Sequence, residues 1–225
     1  MRKLFALLKK DLTLEFRTKE TLSVMLCLSV LLSVVLSSGV SSAFITSESI
    51  EKLFPMFIWF IFVVTAGVAV GRTYEYEVHN RAMEGVLLTG VSPVLVYLSK
   101  TASSALVIAV GHLVSVVALG VLLDVSVVSQ AAPLALISAL VILGYAGLAT
   151  MIAAMTSTSK LKNLLLPLIL LPLLFPLFFA AIELTIPLLR QGSLDLESFW
   201  FSLLLGLDLV YLVLGINLYE YLVHE

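Results

Sequence analysis

Six long apolar runs, separated by short stretches in which charge and small polar residues collect, set the pattern of this chain. They cover residues 22–44, 53–71, 94–123, 131–155, 164–189 and 199–222. Each reaches the roughly 17–25 residues that a helix needs to cross hydrocarbon. Charges inside them are few or absent, so the backbone must close its own hydrogen bonds, and each run predicts a transmembrane helix. The third and fourth runs exceed the minimum, which predicts tilt or extension beyond the lipid.

The segments between the runs carry their own patterns. Ahead of the first run, Leu4, Phe5, Leu8, Leu12 and Phe16 recur at helical spacing, with Arg2, Lys3, Lys9, Lys10 and Arg17 elsewhere around the wheel and Glu15 interrupting the apolar side. That pattern predicts an interfacial amphipathic helix within residues 1–21, apolar side toward lipid and cations toward anionic headgroups. Between the second and third runs, residues 72–93 form a charged stretch with Arg72, Glu75, Glu77, His79, Arg81 and Glu84, which turns apolar at Val86, Leu87 and Leu88. The second span is expected to continue past the membrane, to break at Gly85, and to give an ordered elbow with an apolar tip. Ser92-Pro93 predicts an N-cap followed by proline at the first helical position. In the fifth run Pro167, Pro172 and Pro176, with Pro187 near its end, predict a kinked or broken helix.

Charge then orients the chain. Arg2, Lys3, Lys9, Lys10, Arg17, Lys19, Arg72, Arg81, Lys100, Lys160 and Lys162 fall on the side of the N-terminus, against Lys52 and Arg190 on the other. The positive-inside rule places both termini in the cytoplasm. Only 12% of the 225 residues are charged and 60% are hydrophobic, too little charge for the surface of a soluble domain. The whole chain, 1–225, reads as one all-α membrane domain. Ser41, Ser42 and Ala43 follow the first run, but that run is longer than a signal-peptide core and about twenty residues precede it, so it is expected to be a retained span.

Few residues offer chemistry. Asp208 lies near the middle of the last span, where a carboxylate costs roughly 2.5–3.5 kcal/mol on insertion scales, so it is expected to face the bundle interior. It serves there as a gating contact, as a polar position on a transport path, or as a tie between helices. Glu183 lies beyond the prolines of the fifth span, toward water. His112, in the third span, offers an imidazole, with hydrogen-bonded packing or ligation of haem iron or a metal as the readings open to it. Cys27, the single cysteine, excludes an intrachain disulfide and a Cys-x-x-Cys redox or haem-attachment motif. Gly67 and Gly71 form a Gly-x-x-x-Gly pair, read as a helix-packing face. No zinc, nucleophile-elbow or phosphate-loop motif is present, so the chain offers no motif for ATP. Cations that flank membrane spans do not make a nucleic-acid surface.

Several of these stretches resemble a known family. Lys10-Asp11 with Glu15-Phe16-Arg17, the run Gly71-Arg72-Thr73 with Glu75, Glu77, Glu84-Gly85 and Leu87-Leu88, then Tyr97-Leu98-x-Lys100, are similar to the haem-exporter B subunit, CcmB, of cytochrome c maturation. So is Thr158-Ser159-Lys160-Leu161-Lys162-Asn163 followed by Leu164-Leu165-Leu166-Pro167, Leu171-Pro172, Phe175-Pro176 and Ala181-Ile182-Glu183. The resemblance implies a non-catalytic permease half of the type-2 ABC exporter kind, in a bacterial inner membrane. It implies pairing with a CcmA-like ATPase, CcmC- and CcmD-like membrane subunits and a CcmE-like haem chaperone, with haem handled by the complex. It gives Arg72, Glu75, Glu77, Arg81, Glu84, Gly85, Val86, Leu87 and Leu88 the role of docking on the ATPase. Two alternatives share parts of the pattern: a generic exporter permease for a lipid, drug or polysaccharide, and an intramembrane hydrolase.

Overall fold

A chain this apolar folds by exchanging hydrocarbon contact for helix packing, and its polar side chains turn inward. The computed structural model describes residues 2–42, 47–79, 91–156 and 162–223. Within them the chain forms α1 (Arg2–Thr18), α2 (Glu20–Ser42), α3 (Ser47–His79), α4 (Pro93–Leu122), α5 (Ala131–Thr156), α6 (Lys162–Gln191) and α7 (Phe199–Val223), with a single 3₁₀ turn, Val128–Gln130. Six of these, α2 to α7, are long and apolar enough to cross a membrane, and no strand is present among the described residues. The protein is multi-pass and all-α.

α5 is the hub. It packs on α7, α6, α4 and α3, and most of its residues from Leu134 onward are buried, whereas most of α2 and α7 is not. Small residues allow this: Gly144, Ala146, Gly147, Ala149 and Ala153 let neighbouring backbones come close. α4 also meets α2, α3 and α1. Large apolar side chains point outward, among them Val35, Leu113, Val121, Leu168, Phe175 and Leu209. Ser29, Ser33, Thr65, Ser115, Thr150 and Thr185 are buried. A water-soluble fold would not expose so much apolar surface, whereas a lipid-solvated one does.

Local chemistry accounts for the element boundaries. Ser92 stands at the N-cap of α4, and Pro93 opens the helix without losing a bond, since the first amides of a helix have no partner. α4 stops at a left-handed residue, Asp124 (φ 53°), with Val125 N–H donating to the Gly120 carbonyl at 2.9 Å, the 6→1 bond that closes a helix C-terminus. α6 ends likewise on Gly192, φ 73°. Ser198 opens α7, its hydroxyl accepting from Phe201 N–H at 3.3 Å. Between α1 and α2 only Lys19 intervenes, also left-handed at φ 56°. The amphipathic helix therefore meets the first span at a tight corner.

Two expectations change. α6 is one helix from Lys162 to Gln191, with Pro167, Pro172, Pro176 and Pro187 inside it, so of the two readings, kinked or broken, the break drops out. A proline removes one donor and crowds the turn before it, and the helix survives where neighbours take up the disturbed carbonyls. Here Tyr211 of α7 donates its hydroxyl to the Leu173 carbonyl, on the turn preceding Pro176. In α1, Glu15 does not mar a lipid-facing stripe. Asp11 and Glu15 are both buried where α1 packs on the bundle, while Phe5 is 71% exposed. The acids turn in, and the outward side keeps the cations.

Candidate functional site

The spans place three polar constellations in the bundle. The first surrounds Asp208, in the third turn of α7 and only 6% exposed. Its carboxylate lies against Gly144 of α5, where a Cβ would collide with Oδ1 and come within 2.8 Å of Leu177 Cδ1 of α6. Neither carboxylate oxygen has a hydrogen-bond partner among the described residues. Gly144 is thus the concession that lets a carboxyl group enter a helix contact.

A second contact locks α4, α5 and α7 one turn further along. Tyr97 of α4 is fully buried and donates its hydroxyl to the Gly147 carbonyl of α5 at 3.1 Å. Its ring lies on Gly215 of α7, with Cε2 only 2.9 Å from where a Cβ would be and the hydroxyl closer still. Tyr219 of α7 packs on the same ring, centroids 5.5 Å apart.

His112 anchors the third. Its Nε2 shares a hydrogen bond with the Ser138 hydroxyl of α5 at 3.0 Å, and its ring stacks on Trp59 of α3, centroids 5.1 Å apart and 22° between planes. Trp59 Nε1 donates to the Thr185 hydroxyl of α6 at 3.1 Å. Phe62 meets His112, Tyr145 and Phe178 edge-on. Four helices are thereby tied through one aromatic cluster. His112 Nδ1 is buried with no hydrogen-bond partner among the described residues.

The expected polar residues are thus distributed and do not converge. Asp208 faces the interior at the α5–α6–α7 contact, His112 sits in the cluster between α3, α4, α5 and α6, and Glu183 is half-buried in α6. No described hydrogen bond or ion pair joins any two of the three. Among the described residues no group of three His, Cys, Asp or Glu could hold a metal. Trp59, Ser138 and Thr185 were not singled out by sequence, and Tyr97 only within the family resemblance; glycines in the middle of spans, at Gly144, Gly147 and Gly215, were the available signal that something large sits opposite.

The charged stretch after the second span begins on α3. Arg72, Glu75 and Glu77 belong to the helix, which runs on to His79, nine residues past the end of the span at Val70 and about 13 Å further at 1.5 Å per residue. Arg81, Glu84, Gly85, Val86, Leu87 and Leu88 lie outside the described residues, as does the expected break.

Comparison with the curated proteins gives no match. The model of the family described as CcmB protein matches residues 2–217, nearly the whole chain. With six apolar spans and a match of that length, the chain belongs to the CcmB family, the ABC-transporter permeases of cytochrome c maturation.

Proposed function

We propose that this chain is the non-catalytic permease that converts ATP hydrolysis on a CcmA-like partner into haem export, or into release of a CcmE-like haem chaperone, together with CcmC- and CcmD-like subunits. In this reading it sits in a bacterial inner membrane with both termini in the cytoplasm, and residues 72–93 form the elbow that docks on the ATPase. The observation that carries it is the length of α3. At 33 residues, about 50 Å, it exceeds a hydrocarbon core of ~30 Å and carries the stretch from Arg72 onward beyond the membrane. Glu75, Glu77, Arg81 and Glu84 would supply charge contacts, and Val86, Leu87 and Leu88 the apolar anchor. Only contacts that differ between two states can shift a conformational equilibrium, so the elbow must bind the partner unequally across its cycle.

The test is Glu84→Ala and Leu87→Ala in cells that depend on this chain. The expected result is a normal amount of inserted protein and lost maturation of c-type cytochromes, with ATP hydrolysis continuing unlinked from chaperone release. Full maturation in both variants would refute the elbow's role.

A further inference from the structure

The outward face of α1 carries a second reading, independent of ATPase coupling. By sequence α1 holds cations and acids together, but the fold separates them: Asp11 and Glu15 are buried, whereas Lys3, Lys9 and Arg17 are exposed. The half-buried Lys10 pairs with Asp11 at 3.2 Å. Beside the exposed cations runs an open groove of about 680 Å³, lined among the described residues by Phe5, Leu8, Lys9, Leu12, Thr13 and Arg17. Its lining is mostly apolar, and its two cations stand two helical turns apart, about 12 Å along the axis.

Position selects the occupant. One residue, Lys19, separates α1 from α2, whose apolar span starts at Glu20, so the groove opens where the chain enters hydrocarbon. A water-soluble anion would leave the exposed Phe5 ring and the Leu8–Leu12 floor uncovered; a soluble acidic protein would have to reach the level of the headgroups. An amphiphile with one negative end satisfies both halves of the surface. We propose that this groove seats an anionic phospholipid, its acyl chain along Phe5, Leu8 and Leu12 and its phosphate at Lys9 and Arg17. The lipid becomes part of the fold's edge and fixes the depth of α1 against α4.

The experiment uses the full chain in mild detergent, titrated with phosphatidylglycerol or phosphatidylcholine, with retained lipid counted by native mass spectrometry. The wild type is expected to hold phosphatidylglycerol in preference to phosphatidylcholine. K9Q/R17Q is expected to weaken phosphatidylglycerol binding about 25-fold, from about fivefold for each cation, equivalent to the ~1 kcal/mol that one Lys or Arg contributes at an anionic surface. K9R/R17K should restore it, and K52Q/R190Q, at the far end of the bundle, should leave it unchanged. Equal retention by wild type and K9Q/R17Q would overturn the proposal. A photoreactive phenylalanine analogue at position 5, in native membranes, provides a second measurement that does not depend on the charge variants: a lipid adduct supports the site, and a protein adduct refutes it in favour of a partner.

Discussion

Gly215→Ala adds one methyl group to α7 and should unfasten three helices. The methyl would occupy the space of the Tyr97 ring, 2.9 Å from Cε2 and nearer to Cζ and the hydroxyl. A ring cannot yield by turning one terminal atom, so the whole side chain must move. Overpacking of this kind costs about 1–3 kcal/mol. Moving the ring also breaks the Tyr97–Gly147 hydrogen bond in a fully buried place, at about 1–3 kcal/mol for the stranded hydroxyl. Against this, alanine favours helix over glycine by about 0.5–1 kcal/mol. The net loss is about 1–5 kcal/mol, with a central value of ~3. Reversible unfolding in mixed micelles, read as a function of the denaturing detergent fraction, measures it. Tyr97→Ala alone should cost about 3–5 kcal/mol, as for other large aromatic truncations. The double variant is the decisive one: with the ring gone, the added methyl has room, and G215A/Y97A should be at least as stable as Y97A, by up to about 1 kcal/mol from the helix preference of alanine. Additive losses, or a G215A protein as stable as wild type, would refute the reasoning that Gly215 exists to admit Tyr97.

Ser138→Ala should cost about 1–3 kcal/mol, because His112 Nδ1 already has no described partner and Nε2 would lose Ser138. His112→Phe, which keeps a ring against Trp59 and removes both nitrogens, should cost less than S138A, and thermal unfolding of the two variants side by side checks the order. Lys19→Pro should cost ~3 kcal/mol or more, since proline cannot reach φ 56° and removes the N–H that donates to the Glu15 carbonyl at 3.0 Å. Protease susceptibility near residue 19, measured in proteoliposomes, should rise with it.

The spans were legible because membrane burial writes itself as length and absence of charge, and the six apolar runs reappear as α2 to α7 within a few residues. The inward turn of Asp208 was legible for the same reason, since hydrocarbon makes a carboxylate expensive. What lies opposite it was not: Gly144 is far away along the chain and belongs to another helix. The prolines of α6 left kink and break both open because a missing donor is a local fact, whereas the continuity of the helix also involves neighbours, such as the Tyr211 hydroxyl on the Leu173 carbonyl, that local sequence does not name. Glu15 misled outright. On a wheel it spoiled an apolar stripe, and only the packing of α1 on the bundle makes it a buried group. His112 looked solitary because its partners, Trp59 and Phe62 of α3 and Ser138 of α5, come from two other helices.

These placements bear on how movement at the proposed elbow, residues 72–93, would reach the bundle. α3 carries both ends of the connection: Arg72 to His79 beyond the span, and Trp59 with Phe62 inside the cluster that engages α4, α5 and α6. Its one internal proline, Pro55, lies on the far side of Trp59 from the elbow, so the stretch from Trp59 to His79, about 30 Å of helix, has no proline at which to bend. If residues 72–93 dock on the ATPase as proposed, a push at His79 would travel along α3 toward Trp59, whose ring stacks on His112. From there it would pass through Ser138 to α5, whose Gly144 and Gly147 hold Asp208 and Tyr97 at close approach. Because those contacts leave no slack for a side chain to absorb the shift, α5 and α7 would have to move together or separate at Gly144. The separation would uncover Asp208, a carboxyl group that is buried within the last span and has no described partner while the helices are closed.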